Sequence, residues 1–459
     1  MMRANATLAR ERCGMPGLTG SQTQGLKTLF GVVTDGLVRS LQIALAEEAT
    51  LGGPIAAVHE LLCNEAADRR LRRLVLAPVG SLCRPSEWKA VSFPEAVPLL
   101  LWRALKETSP ELVEEAAAAS CRPQEPDTPT DPVYDQLCLL AAQGLRCEAR
   151  AFQAAGDLLN VAGREGAATF ASYLDMAPIT RAALTKLPDW IGRMSDDRAA
   201  AARLAYKDAV ELADDAGPQF FEMLFAHLSE PWQILRVMSA IMDRPGDRYV
   251  MVSELARFGD YVIDDIDRRL AAFRAFDPNK GIDAGVAAGQ ALQIAAAEIA
   301  EFETSIELSR DGPWGLRIAQ QKKLLAESAE ARLNQIGKAL DAALPLRMVR
   351  LGKGLRGLPK LAADPDPAAI CRAEGLMAFF DHSRGSAAQS GYGAARAKAA
   401  EMIEERLDQY VEDLLEMLRA EEVESIGRVH AFLEVSAGFM SQAHGEKAAQ
   451  IVRRRAAAA

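Results

Sequence analysis

Apolar residues along this chain recur mainly at steps of three and four, the spacing that lines one face of an α-helix. Leu37, Leu41, Ile43 and Leu45 open one amphipathic stretch, and Val58, Leu61 and Leu62 open the next. The clearest run is Leu255, Phe258, Val262, Ile266, Leu270 and Phe273. Leu292, Ile299, Phe302 and Ile306 repeat it, as do Leu333, Ile336, Leu340 and Leu344. The pattern predicts an all-α, multi-helical fold: an antiparallel helix stack with a small helical N-terminal domain. The breaks agree. Asp214-Asp215-Ala216-Gly217-Pro218 joins a glycine stop to a proline suited to a first turn, and Ser229-Glu230-Pro231-Trp232 offers Ser229 as an N-cap.

Prolines and charge divide the chain further. Residues 1–24 are polar and aperiodic and read as a disordered tail. Residues 25–120 read as the small helical domain, cut into short helices by Pro78, Pro85, Pro94, Pro98 and Pro110, because proline lacks the donor that a helix interior needs. Residues 121–133 hold Pro123, Pro126, Pro129 and Pro132 and read as a semi-rigid linker at a domain boundary. Residues 134–345 form a central helical domain, and 346–370 a basic loop with an Asp/Pro linker. Residues 371–459 form a C-terminal helical segment with a long helix from about Ala394 to Glu424. There Ile403, Leu407, Tyr410, Leu414 and Met417 step by 4, 3, 4 and 3, a coiled-coil seam over about two heptads. Between Glu401 and Glu424 ten acidic residues face two arginines.

Composition narrows the function classes. Of 459 residues, 49% are hydrophobic and 25% charged, the balance of a soluble globular chain rather than a disordered one. The net charge of -10 argues against a general polyanion-binding surface, so no nucleic acid is expected. No apolar run reaches the length of a membrane span and the first residues lack an apolar signal core, which points to a cytoplasmic protein. The cysteines, Cys13, Cys63, Cys83, Cys121, Cys138, Cys147 and Cys371, include no C-x-x-C pair, so neither a zinc ribbon nor an iron-sulfur cluster is expected. No cofactor is expected either.

Four constellations carry some chemical promise. Arg347, Arg350, Lys353, Arg356 and Lys360 put five cations in a stretch without an acid. Its Gly352-Lys353-Gly354-Leu355-Arg356-Gly357 matches a dinucleotide fingerprint in letters only, since such a fingerprint must follow a strand and open a helix. The stretch suits anionic lipid, with Leu351, Leu355 and Leu358 entering the interface, phosphate-bearing ligands, or the acidic helix 401–424 of its own chain or a partner. Asp260, Asp264 and Asp267 share a helix face and are candidate Mg²⁺ ligands, although Asp-Asp-Ile-Asp is not the Asp-Asp-x-x-Asp of helical diphosphate enzymes and Arg268 and Arg269 stand beside it. The cluster Arg69-Arg70-Leu71-Arg72-Arg73 reads as a solvated helix end, having no aromatic platform for bases. Asp381-His382-Ser383 unites three catalytic residue types, yet neighbours in sequence do not supply a triad's geometry. His59, His227, His382, His430 and His444 fit no metal spacing, and His227 in its apolar run reads as a satisfied core or interface histidine.

These readings favour a non-enzymatic cytoplasmic scaffold, adaptor or regulatory protein of a bacterial type that acts through protein-protein contacts and self-associates as a homo-oligomer. Its expected interaction residues are Arg347, Arg350, Lys353, Arg356, Lys360, Ile403, Leu407, Tyr410 and Leu414. Two alternatives stand beside it: a helical Mg-dependent enzyme using Asp260, Asp264 and Asp267, and a peripheral membrane protein attached through 347–360.

Overall fold

The computed structural model describes residues 18–50, 52–85, 91–122, 130–161, 166–192, 195–213, 216–243, 245–351, 354–420 and 425–459. Among these residues the fold is all-α apart from one two-stranded antiparallel hairpin. The chain divides into two compact units, Met1–Ser229 and Glu230–Ala459.

In the first unit α1 (Gly20–Val32) and α2 (Asp35–Ala49) pack on α3 (Gly53–Val75). Thr19 caps α1 in a reciprocal box with Gln22, and the Thr34 side chain accepts from Leu37 N to start α2, each satisfying a donor that the first helical turn leaves free. Their shared core is small: Phe30, Val38, Leu61 and Leu62, edged by Leu26, Leu41 and Leu45. After the helix Val97–Thr108 come α4 (Pro110–Ser120) and α5 (Val133–Arg146), and after two shorter helices α6 (Ala177–Ile191), then Asp196–Val210 and α7 (Ala216–His227). The main core holds Trp102, Tyr134, Phe170, Tyr173, Phe220 and Phe221, all buried, with Phe93 edge-on to Phe170 at 4.7 Å.

The division at Ser229 differs from the boundary expected at 121–133. Pro123, Pro126 and Pro129 lie outside the described residues, but the helices on either side belong to one unit. Buried Arg181 of α6 donates to the carbonyls of Leu74 and Val75 at 2.6 Å each, and to Asp135 Oδ1 at 2.7 Å. It therefore caps the C-terminal end of α3, where unpaired carbonyls and the helix dipole favour a cation. A proline-rich stretch changes the direction of a chain without obliging the helices it joins to part. The real division falls at the Ser229–Trp232 turn. Ser229 is not a cap there; the short 3₁₀ turn Pro231–Gln233 follows Glu230.

The second unit contains α8 (Ala256–Arg274), α9 (Ile282–Ser305), α10 (Pro313–Leu333), α11 (Ile336–Ala343), β1 (Leu346–Leu351), β2 (Gly354–Pro359), α12 (Pro367–His382), α13 (Gly393–Arg419), α14 (Ile426–His444) and α15 (Glu446–Ala458). Helices α9 and α12 cross closely: a Cβ on Gly285 would stand 2.0 Å from the Gly375 carbonyl oxygen. Glycine is required there by the approach of two backbones.

Candidate functional site

The cationic stretch expected as a loop is a hairpin, with Leu346 opposite Pro359 and Leu351 opposite Gly354. Its residues alternate in direction, as strand residues must, so Arg347 and Arg356 stand on one face and Arg350 on the other. Arg356 turns to α13 and donates to buried Asp413 at 2.6 Å, with Glu416 at 3.8 Å. This is the contact with the chain's own acidic helix weighed above. Arg347, Arg350 and Lys360 are exposed, and Lys353 lies outside the described residues. On the opposite face Met348 and Leu355 stand 64% and 70% exposed.

Ile403, Leu407, Tyr410 and Leu414 are all buried within the second unit. Tyr410 packs edgewise on Phe432 of α14. The seam is thus covered by the chain itself and is not a surface for a second copy. Heptad spacing reports that a helix face is buried, not which helix covers it.

Asp260, Asp264 and Asp267 do share one face of α8, and α10 packs against it with three donors. Trp314 Nε1 donates to Asp260 Oδ1 at 2.8 Å, Arg317 to Asp264 at 2.7 Å and to Asp267 at 2.6 Å, and Gln321 Nε2 to Asp267 Oδ1 at 2.6 Å. These carboxylates hold two helices together. Among the described residues no group of three or more His, Cys, Asp or Glu is placed to hold a metal ion. Likewise, Ser383 Oγ donates to the Phe380 carbonyl at 2.8 Å, while Asp381 pairs with Arg384, so the Asp-His-Ser sequence makes no triad. His227 sits with its two ring nitrogens 2.7 and 2.9 Å from the carbonyls of Met223 and Ala77.

Beside the Asp260 face lies a buried carboxyl pair that periodicity did not single out. Asp265 accepts from Arg268 Nε at 2.8 Å and from Arg269 Nε at 2.5 Å, and Arg269 also reaches Glu298 Oε1 at 3.3 Å. Glu298, on α9, is fully buried. Burial, then the bond to Asp265 and its charge, push the Glu298 carboxyl up to about 10 against the opposing pull of Arg269. Glu298 Oε2 is buried without a hydrogen-bond partner, an environment that favours the uncharged, protonated carboxyl. Its only sequence signal was the Asp265-Arg268-Arg269 spacing; Glu298 comes from a helix some thirty residues away.

A concave feature lies in the first unit, a cleft of about 1210 Å³ between α2, α3 and the end of α4. The stripe Cys63, Ala66, Ala67, Arg70, Arg73 and Leu74 supplies the α3 wall, Asp35, Gly36, Arg39 and Gln42 the α2 wall, and Ser120, Cys121 and Arg122 the third side. Buried Arg69 anchors it. Its guanidinium donates to the Val33 carbonyl at 2.9 Å, the Phe30 carbonyl at 2.5 Å, Asp35 at 2.6 Å and Glu65 at 2.7 Å. The guanidinium groups of Arg69, Arg73 and Arg72 outweigh burial and hold the Asp35 carboxyl below its usual range. Arg73 lies 3.6 Å from Asp35 and Arg122 3.1 Å from Asp131. Arg39 and Arg70 make no ion pair among the described residues. Read as a solvated helix end, Arg69–Arg73 is half explained: Arg69 is structural and Arg70 faces the cleft. Arg39 and Arg122 are too distant in sequence to be joined to it by spacing.

The cysteines also part company. Cys83 and Cys138 are buried, and burial pushes both thiols up to about 12, which keeps them protonated and unreactive. Cys63, Cys121, Cys147 and Cys371 are free and at least partly exposed; Cys13 lies outside the described residues. No helix among the described residues is long and apolar enough to cross a membrane. Comparison with protein-family models, characterised proteins and solved structures returned no match.

Proposed function

We propose that this chain is a non-catalytic helical scaffold, adaptor or regulatory protein of the cytoplasm, acting through contacts with protein partners. The observation that supports the reading most is the surface of α1 and α2. Val32 is 77% and Ile43 67% exposed, and Leu29 and Leu37 are about half exposed. Leu29 and Val32 lie one turn apart, on one side of α1. Burying such side chains gains roughly 25 cal/mol per Å², and the small core beneath them leaves that gain to a partner. An amphipathic helix of another protein is the occupant that suits an exposed helical pair beside a cationic cleft, apolar residues on Val32 and acidic ones toward Arg39.

The test places a photoreactive residue at Val32 or Ile43 and, as controls, at Leu204 and Leu212, which are also exposed. Irradiation in the native cells should join the same protein to positions 32 and 43 and not to the controls. An adduct with the chain itself identifies a homo-oligomer, whose contact is then α1 and α2 rather than the α13 seam. Absence of any adduct at 32 and 43, or the same adducts at all four sites, overturns the proposal.

A second reading is favoured by the outer face of the hairpin. Met348 and Leu355 project there with Arg350, whose register partner is Leu355, an arrangement suited to shallow insertion beside anionic headgroups. Co-sedimentation with phosphatidylserine vesicles at low salt should fall when Met348 and Leu355 become Asp; no sedimentation of the wild type disposes of it. Against the Mg-dependent reading, Trp314, Arg317 and Gln321 engage one oxygen each of Asp260 and Asp264 and both oxygens of Asp267.

A further inference from the structure

We propose that the cleft between α2, α3 and the end of α4 binds a small phosphate-bearing anion of at least two negative charges, held by Arg39 and Arg70 with Arg73 and Arg122 beside them. The inference shares Arg39 with the partner surface above but rests on the cleft and not on the exposed apolar residues of α1 and α2.

Charge is the first ground. Five of the lining residues are arginines and one is an acid, Asp35, in a chain whose net charge is -10. Such a concentration runs against the composition. A concave wall of low dielectric focuses the field of its charges and raises the local concentration of anions. The second ground is availability. Arg69 has spent its donors on the α1–α2 turn and on Glu65, which fixes the start of α2 and with it Arg39, one turn further on. Arg39 and Arg70 project from separate helices, and among the described residues no carboxylate holds them. An arginine fork offers two parallel N–H donors to a phosphate, stronger and more directional than a lysine ammonium.

Size and lining define the class. A volume of about 1210 Å³ exceeds the roughly 300–1,000 Å³ of an ordinary small-molecule site, which leaves room for a diphosphate or a nucleotide with its water. Gly36, Ala66 and Ala67 keep the walls open. No aromatic side chain stands among the lining residues, so the stacking platform of a single-strand binding groove is missing. Inorganic diphosphate and nucleotide present the same chemistry to the arginines, and the experiment separates them.

The cleft carries its own reporters. Cys63 and Cys121 line it, whereas Cys147 and Cys371 do not. The full-length protein is alkylated with N-ethylmaleimide, and the rate at each cysteine is read by mass spectrometry with inorganic phosphate, pyrophosphate, ATP or a single-stranded oligonucleotide present. Pyrophosphate at about ten times its Kd should slow Cys63 and Cys121 on the order of tenfold and leave Cys147 and Cys371 unchanged. Protection by pyrophosphate and ATP alike identifies the phosphate groups as the determinant; protection by ATP alone narrows the class to nucleotides. Arg39→Gln with Arg70→Gln should abolish the protection and the heat of pyrophosphate binding in calorimetry, without lowering the thermal midpoint. Unchanged rates at Cys63 and Cys121, equal slowing at Cys147, or protection by the oligonucleotide alone overturns the proposal.

Discussion

The Asp260 face of α8 and the Arg70 face of α3 look alike in sequence and differ in use. Each is a set of like charges at helical spacing, and each invites a counter-ion. In the second unit the partners come from the protein itself: Trp314, Arg317 and Gln321 of α10 bring one positive charge and two neutral donors to Asp260, Asp264 and Asp267, and Arg269 of α8 meets Asp265 and Glu298. In the first unit Arg69 is met in the same manner, but Arg39 and Arg70, which line the cleft, are not met by any acid among the described residues. A charge already paired holds the fold together; a charge left facing a cleft is available to something else. Only the second kind points to a ligand.

The contrast can be broken most forcefully at Arg269. Replacing it with Ala strips a donor from a carboxyl pair that is almost wholly buried, and removal of one partner from a buried ionic cluster costs about 3–5 kcal/mol. Urea unfolding should show that loss. A change within about 0.5 kcal/mol, the range of ordinary surface substitutions, would mean that the pair is not held as described. Glu298→Gln acts in the opposite direction. The folded protein keeps a proton on Glu298 to about pH 10, while the unfolded chain releases it near 4.5, so stability falls as pH rises through that window. Glutamine stays neutral and can still donate to Asp265. At pH 7 the variant should be more stable by about 3 kcal/mol, the free energy of 2.5 pH units, and the gain should shrink toward zero at pH 4.5 and below. A pH-independent difference in denaturant midpoint would remove the proton from Glu298.

How much of this was visible in one dimension depends on the distance over which the information travels. The α8 face of Phe258, Val262, Ile266 and Leu270 was legible because its periodicity lies within one helix, and those residues are buried as expected. The all-helical class followed from many such stretches. The hairpin was hidden because Leu346–Pro359 carries the glycines and cations of a loop, and pairing is a property of two segments. The boundary at Ser229 was hidden because prolines mark bends, whereas units are made by contacts such as that of Arg181 with Leu74 and Val75. The cleft was half legible: Arg69–Arg73 stood out, but Arg39 and Arg122 belong to other helices.

A smaller effect separates the carboxylates of α8 from one another. Trp314 is nearly buried and its indole N–H ends on Asp260, so Asp260→Ala leaves a donor unsatisfied at about 1–3 kcal/mol. Asp264 is mostly exposed, and Asp264→Ala should cost about 0–1 kcal/mol, as exposed ion pairs do. Thermal melts of the two variants side by side check this. A metal site would predict something different: similar losses from either variant, appearing only when Mg²⁺ is supplied.

The smallest expected change in stability is at the cleft, and its smallness is what makes it informative. Arg39 and Arg70 are exposed and hold no ion pair among the described residues, so converting both to Gln should move the unfolding free energy by less than about 0.5 kcal/mol each. Their removal also relieves the mutual repulsion of a cationic wall, which acts toward stabilisation at low salt and fades as salt screens it. The double variant should therefore melt at or slightly above the wild-type midpoint in dilute buffer and with it in high salt. Arg69→Gln, from the same cluster, should be strongly destabilising under both conditions, because the carbonyls of Phe30 and Val33 and the Asp35 carboxylate all lose their donor. If Arg39 and Arg70 instead prove as costly to remove as Arg69, they are bound up in the fold like the aspartates of α8, and the difference between the two regions disappears.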